Sequence, residues 1–181
     1  MGFRLSDTTE VVLENLRVPR SAVIGEVGCG MSIALNALNL SRAFISTLAV
    51  GIMQRALDEA VAYAKQRKQF GRRLIDFEMV QAMLADMAIK TEAARVLVNN
   101  CMRQMDAGEM VRKDGAIVKT FVTDAMQEVV SNAVQVLGGY GYSEEYPVEK
   151  LMRDAKIFQI FEGSNQIQRM TIAKELDREY R

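Results

Sequence analysis

The chain of 181 residues contains no histidine and no tryptophan, only two cysteines and two prolines, and it carries no net charge. Without histidine, the Ser-His and Cys-His nucleophile pairs and most zinc sites are excluded. Carboxylates, lysines and backbone amides remain as chemical equipment, and no metal is expected. The isolated Cys29 and Cys101 argue against a disulfide framework and a Cys-rich metal site. They fit a reducing compartment: the cytoplasm, or the mitochondrial matrix if the source is eukaryotic. Lys+Arg and Asp+Glu both number 23, so no global field draws the chain to nucleic acid or to an anionic membrane. No uninterrupted apolar run of 18 residues and no signal peptide is found, which reads as a soluble chain without membrane insertion.

What is present is mostly helix-forming. Hydrophobic residues make up 49% and charged residues 25%, enough for one real core. The stretch "TEVVLENLRVP", stopped by Pro19, reads as strand-like, and "GEVGCG" follows as a glycine linker. Its order G-x-x-G-x-G is not that of a dinucleotide fingerprint, and no parallel strand follows. From there on, apolar residues recur at steps of three or four. Ile45, Leu48, Ile52, Ala56, Ala60 and Tyr63 mark a first helix, ended by "FGRRL". Val80, Leu84, Met87, Ala94, Val98, Cys101 and Met105 mark a second, closed by the turn "DAGEM". Val118, Val122, Ala125, Val129, Ala133 and Val136 mark a third, capped by Gly138 and Gly139. Pro147 opens a short helix, and a last helix begins near Ser164. The expected class is all-α: an up-and-down four-helix bundle with additional short C-terminal helices, preceded by a short strand-like segment. The 12 methionines suit an adaptable core without tryptophan.

Three segments invite a functional reading. "KQRKQFGRR" holds five cations and no acid, which is either a solvated helix end or a phosphate clamp. "QVLGGYGY" is either a helix stop or a close backbone approach to a ligand. Glu162 is the third. It follows the apolar Ile160 and Phe161, precedes Gly163, and sits just ahead of Ser164 and Asn165, both good helix caps. A solvated loop carboxylate has no need of such neighbours.

In order along the chain, "RKQFG" (67–71), "LADM" (84–87), "QVLGGYGY" (135–142), "EYPVEKLMRDAKI" (145–157) and "FEGSNQIQR" (161–169) resemble the C-terminal helical domain of the acyl-CoA dehydrogenases. Residues 1–30 resemble the last strands of the family's middle β-domain and its linker, and residues 31–181 its helical bundle. Members carry an N-terminal helical domain and most of a β-domain ahead of this point, so the resemblance implies a C-terminal fragment.

The resemblance also implies a chemistry. These are flavoproteins that take a proton from the carbon α to a thioester and a hydride from the β carbon, giving a trans-2-enoyl-CoA. Glu162 matches the catalytic base, with Arg42, Phe161 and Gly163 on the substrate side. Relatives that carry the base on the first long helix place it where this chain has Ser41, which cannot serve. Arg67, Gln69 and Phe70, with Gln135, Gly138 and Gly139, match contacts to the FAD of a neighbouring subunit. Ser164 and Gln166 match contacts to FAD beside the base. The implied partners are an acyl-CoA substrate, an electron-transfer flavoprotein as acceptor, and further copies of the chain in a homodimer or homotetramer. The alternative is a non-catalytic helical scaffold built on the same fold, although a scaffold has no chemical use for Glu162, Arg67 and Gln135 together.

Overall fold

A computed structural model describes residues 1–181. Five α-helices build it: α1 (Gly30–Gln66), α2 (Glu78–Asp106), α3 (Arg112–Leu137), α4 (Pro147–Ala155) and α5 (Asn165–Glu179). Helix α2 runs back along α1, with Arg95 donating to Gln54 Oε1 at 2.5 Å, and it also meets α3 through the pair Lys90 and Glu128 at 2.7 Å. Helix α3 then runs parallel to α1. Gly115 near its start lies against α1 at Asn39 and Arg42, while Leu137 at its end shares a groove with Tyr63. Helix α4 completes the bundle, descending from Tyr63, which its N-cap Tyr146 meets edge-on at 5.8 Å. Its continuation returns the chain to the start of α1. Helix α5 lies on α3, joined by Lys113 to Glu179 at 2.6 Å.

The apolar steps of α2 and α3 behave as their spacing predicts. Every residue of the α3 stripe is buried, as are Leu84, Met87, Ala94, Val98 and Cys101 on α2. Helix α1 differs in two ways. It begins at Gly30, well ahead of the periodic residues that start at Ile45, and its buried face includes Ala43, Ser46, Ala49, Val50, Met53, Ala56, Ala60 and Ala64. Leu48, expected inside, is 57% exposed. Ala56 and Ala60 of the expected stripe are fully buried, and Ile45, Ile52 and Tyr63 pack partly buried against the core. Small residues, however, let the α1 and α3 backbones approach closely, so the buried face is centred on Ser46, Ala49, Met53 and Ala64 beside that stripe. The larger apolar residues Leu40, Phe44 and Leu48 are left on the outer surface. By length and composition α1 is also apolar enough to cross a membrane, because its apolar residues occupy both faces.

Two further expectations are corrected. Residues 9–19 form no strand; they run exposed, with one 3-10 turn after them at Arg20–Ala22. A strand-like composition cannot by itself satisfy strand backbone groups, which need a neighbouring strand. The basic stretch is not a continued helix end. Helix α1 stops at Gln66, and a hairpin pairs Lys68–Gln69 (β1) with Arg72–Arg73 (β2), turning at Phe70 and Gly71 with φ of 51° and 80°.

Candidate active site

The segment after α4 begins with a 3-10 turn, Lys156–Gln159, which buries Phe158 completely. Phe158 meets Phe161 edge-on at 5.0 Å and Phe3 at 5.5 Å, so the ring cluster fixes where the chain emerges from the core. Ser164 then caps α5, its hydroxyl accepting from the N–H of Ile167 at 3.4 Å. Between these two anchors lie Glu162 and Gly163, both with positive φ, 56° and 84°. For glutamate the left-handed conformation costs about 1–2 kcal/mol. Glycine suits the left-handed backbone at 163, and a Cβ there would lie 2.6 Å from Gln168 Nε2, so the Gln168 side chain would have to shift from its hold on the turn.

The carbonyls of the turn and the Glu162 side chain meet different elements. The carbonyls point inward: Gln168 Nε2 donates to the oxygens of Glu162 and Gly163 at 3.0 Å each, and Lys119 Nζ donates to Gly163 O at 2.9 Å. The Glu162 side chain points toward α1, where Ser41 donates its hydroxyl to Oε2 at 2.5 Å. The N–H of Glu162 makes no hydrogen bond within the chain. A half-buried carboxylate and a free backbone donor therefore sit side by side, which is what proton abstraction next to a carbonyl needs.

Arg42 lies next to Ser41 and is 6% exposed. It donates to Asn39 Oδ1 at 3.0 Å, while its Nε has no partner. Burial lowers its proton affinity and the Arg112 charge adds to this, against the opposing pull of Glu162. Arg42 thus belongs to the Glu162 wall, together with Phe161 and Gly163. Ser164 and Gln166 stand at the N-terminus of α5, beside the same turn.

The other expected site residues lie elsewhere. Arg67, Gln69, Gly138 and Gly139 line one open groove of about 670 Å³ between the hairpin and the end of α3. Gly138, with φ 62°, ends α3, and nothing stands within 4 Å of where a Cβ at either glycine would be. Arg67 also stacks over the Tyr140 ring at 5.5 Å. A planar guanidinium beside bare backbone suits a diphosphate. Gln135 is exposed and directly precedes Val136 of the groove, without itself lining it. Phe70 is not in it either: it is 94% exposed at the hairpin tip and meets only Phe77 edge-on. Ser41 and Arg67 are roughly 39 Å apart along α1 at 1.5 Å per residue. The groove and Glu162 therefore occupy opposite ends of the bundle.

Sequence reasoning missed the scaffold of the turn. Thr123 and Asn165 bond to each other, Asn165 Nδ2 reaches Asp124 Oδ1 at 2.7 Å, and Arg169 pairs with Asp124 at 2.6 Å. Burial works to raise the Asp124 pKa, but hydrogen bonds from Arg169, Gln159 and Asn165 outweigh it and hold it below the usual carboxylate range. The available signal was Lys119 itself, a cation flanked by the apolar Val118 and Val122.

Residues 28–176 match the acyl-CoA dehydrogenase C-terminal domain family. The chain is 48% identical over 177 residues to probable acyl-CoA dehydrogenase FadE25 of Mycobacterium tuberculosis, covering 97% of this chain and 46% of that protein. It is 41% identical over 173 residues to the caffeyl-CoA reductase-Etf complex subunit CarC of Acetobacterium woodii, covering 96% of this chain and 46% of that protein. The structure of butyryl-CoA dehydrogenase from Megasphaera elsdenii superposes with a TM-score of 0.90 at 44% identity, over 92% of this chain and 44% of that one. The chain thus spans about half the length of the curated relatives it matches. With this match over most of its residues, the chain belongs to the acyl-CoA dehydrogenase family, as its C-terminal helical domain.

Proposed function

We propose that this domain supplies the base and part of the cofactor site of an FAD-dependent acyl-CoA dehydrogenase whose N-terminal half lies outside the 181 residues. The observation that carries this reading is the Glu162 turn, whose carbonyls are clamped by Gln168 and Lys119 while its carboxylate meets only Ser41 and its N–H is unused within the chain. The Glu162 carboxylate takes the α-proton of an acyl-CoA, and its N–H donates to the thioester oxygen, where negative charge develops. FAD, when bound, supplies the acceptor for the β hydrogen and its electron pair. The product is then the trans-2-enoyl-CoA and the protonated Glu162. Phe161 and Gly163 form the wall that excludes water when an acyl chain closes over the base. Ser41 holds the carboxylate in the resting state without competing as a base.

The separation along α1 gives the cofactor site its second feature. Ser164 and Gln166 flank the base, whereas Arg67, Gly138 and Gly139 lie at the other end of the bundle, with Gln135 nearby. One flavin therefore reaches both sets only if two copies contribute, which supports a homodimer or a tetramer of such dimers. The name of one relative, the caffeyl-CoA reductase-Etf complex subunit CarC, supports an electron-transferring flavoprotein as the electron acceptor.

The direct experiment is anaerobic mixing of the flavin-loaded enzyme with acyl-CoA thioesters. Bleaching of the oxidised flavin supports dehydrogenation, and a flavoprotein that no thioester bleaches points to the scaffold reading. The shared site makes its own prediction. Arg67→Ala removes a charge-assisted contact worth about 1.5–3 kcal/mol and should weaken flavin retention roughly 10- to 100-fold. Gln135→Ala should act in the same direction with a smaller loss. Sedimentation should show the oligomer loosening in step with flavin loss. Full flavin content with an unchanged oligomer in either variant would remove that residue from the site.

A further inference from the structure

Lys119 is fully buried on α3, at 0% exposure, where lysine is rare unless strongly paired. Both of its acceptors are neutral: Gly163 O at 2.9 Å and Asn165 Oδ1 at 2.7 Å. A salt bridge would explain such a burial cheaply, but Lys119 forms none. Its charge is spent on the backbone of the strained turn. Gln168, also at 0%, does the same from α5 and leaves its own Oε1 without a partner. Two buried side chains from two helices thus converge on the carbonyls of Glu162 and Gly163. A backbone in the left-handed region persists where its surroundings over-determine it, and these donors are what does so here.

We propose that Lys119 is a positioning residue for the dehydrogenation step: with Gln168 it holds the Glu162–Gly163 turn so that the carboxylate and N–H of Glu162 face one point. This role rests on the reading of Glu162 as the base. Lys119 touches no reacting atom and acts through the Gly163 carbonyl.

Protonation of Lys119 gives the role a signature. Burial lowers its pKa to about 8; Asp124 on α3 opposes this, Arg42 on α1 adds to it, and Glu162 opposes it. Arg169 on α5, the remaining nearby cation, is engaged by Asp124. The folded pKa is depressed below the ordinary 10.5, so between about 8 and 10.5 the unfolded chain binds the additional proton. The Lys119 contribution to stability therefore rises with pH through that window. Positioning runs the other way. The neutral amine donates without charge assistance, so its hold on Gly163 O weakens as the proton leaves. A lysine that only fills the core predicts the first trend without the second.

The test uses the flavin-loaded enzyme in anaerobic stopped-flow. Lys119→Met should lower the limiting rate of flavin reduction about 100-fold, the scale of a displacement of order 1 Å in a catalytic group. The substrate Kd should change by no more than about threefold, as expected when only transition-state geometry is lost. The wild-type rate should decline along an alkaline limb near pH 8 that is missing from the variant. Should Lys119→Met fail to fold, Gln168→Leu removes the other clamp and should also lower the rate without weakening substrate binding. In addition, NMR on the wild-type chain needs no variant: the Glu162 and Gly163 amide shifts should titrate with the midpoint of the Lys119 side chain. Amides indifferent to that titration, or a full rate in Lys119→Met while Glu162→Gln is inactive, overturn the positioning role and leave the base in place. A full rate in Glu162→Gln overturns the base and the positioning role together.

Discussion

Replacing Glu162 by glutamine should leave an enzyme that binds FAD and acyl-CoA and fails to pass electrons between them. Glutamine keeps the size and planarity of the side chain, and the elements that hold the turn do not involve the carboxylate. Gln168 and Lys119 grip main-chain oxygens, and the Phe158 and Phe161 rings anchor the approach. Ser41 can still donate to the amide oxygen. Only the proton acceptor is lost. General-base contributions span about 10²–10⁴, and the upper end is expected here because an α-proton has no other acceptor nearby. Ser41 is too weak a base, and Lys119 lies behind the turn. Stopped-flow reduction of the flavin within about tenfold of the wild-type rate would place the base elsewhere.

The parts of this domain that were legible in the sequence are those in which one local rule decides. The stripes of α2 and α3 bury what their spacing says they bury, Gly138 and Pro147 mark helix ends by backbone geometry alone, and Ser164 caps α5. Where a second element decides, the sequence was silent or misleading. The rotation of α1 depends on how closely α3 can approach its alanines, which a count of large apolar residues misses. The strand-like residues 9–19 are rich in valine and leucine but have no neighbour within this chain to pair with. Phe70 lies beside Arg67 in the sequence, yet the hairpin turns it outward. The same distinction applies to the site. Glu162 is singled out by its neighbours and by the resemblance, whereas Lys119, Asn165 and Gln168 converge on its turn from two helices separated by more than 40 positions, and no spacing announces that.

Phe158→Ala should be the most damaging single truncation to stability. Phe158 is among the largest fully buried side chains, it meets both other rings of the cluster, and it closes the bundle where α4 passes into the segment carrying Glu162. Removing it leaves a cavity that its rigid neighbours cannot fill, because Phe3 and Phe161 approach edge-on and stand on segments tied elsewhere. Phe3 is held by its N–H to Asp154 Oδ1 at 2.6 Å, and Phe161 by its N–H to Ile157 O at 3.0 Å. The expected loss is about 3–5 kcal/mol. At about 2–4 °C per kcal/mol for a chain of this size, the thermal midpoint should fall by roughly 6–20 °C. Phe70→Ala is the matching control, since an exposed ring at the hairpin tip should cost no more than about 0.5 kcal/mol. Urea unfolding of the two variants measures the difference directly. A Phe158→Ala loss below about 1 kcal/mol would mean that the segment carrying Glu162 is not anchored by this ring. The precision of the turn would then have to come from its carbonyl clamps alone, and Phe158→Ala would leave the rate of flavin reduction intact.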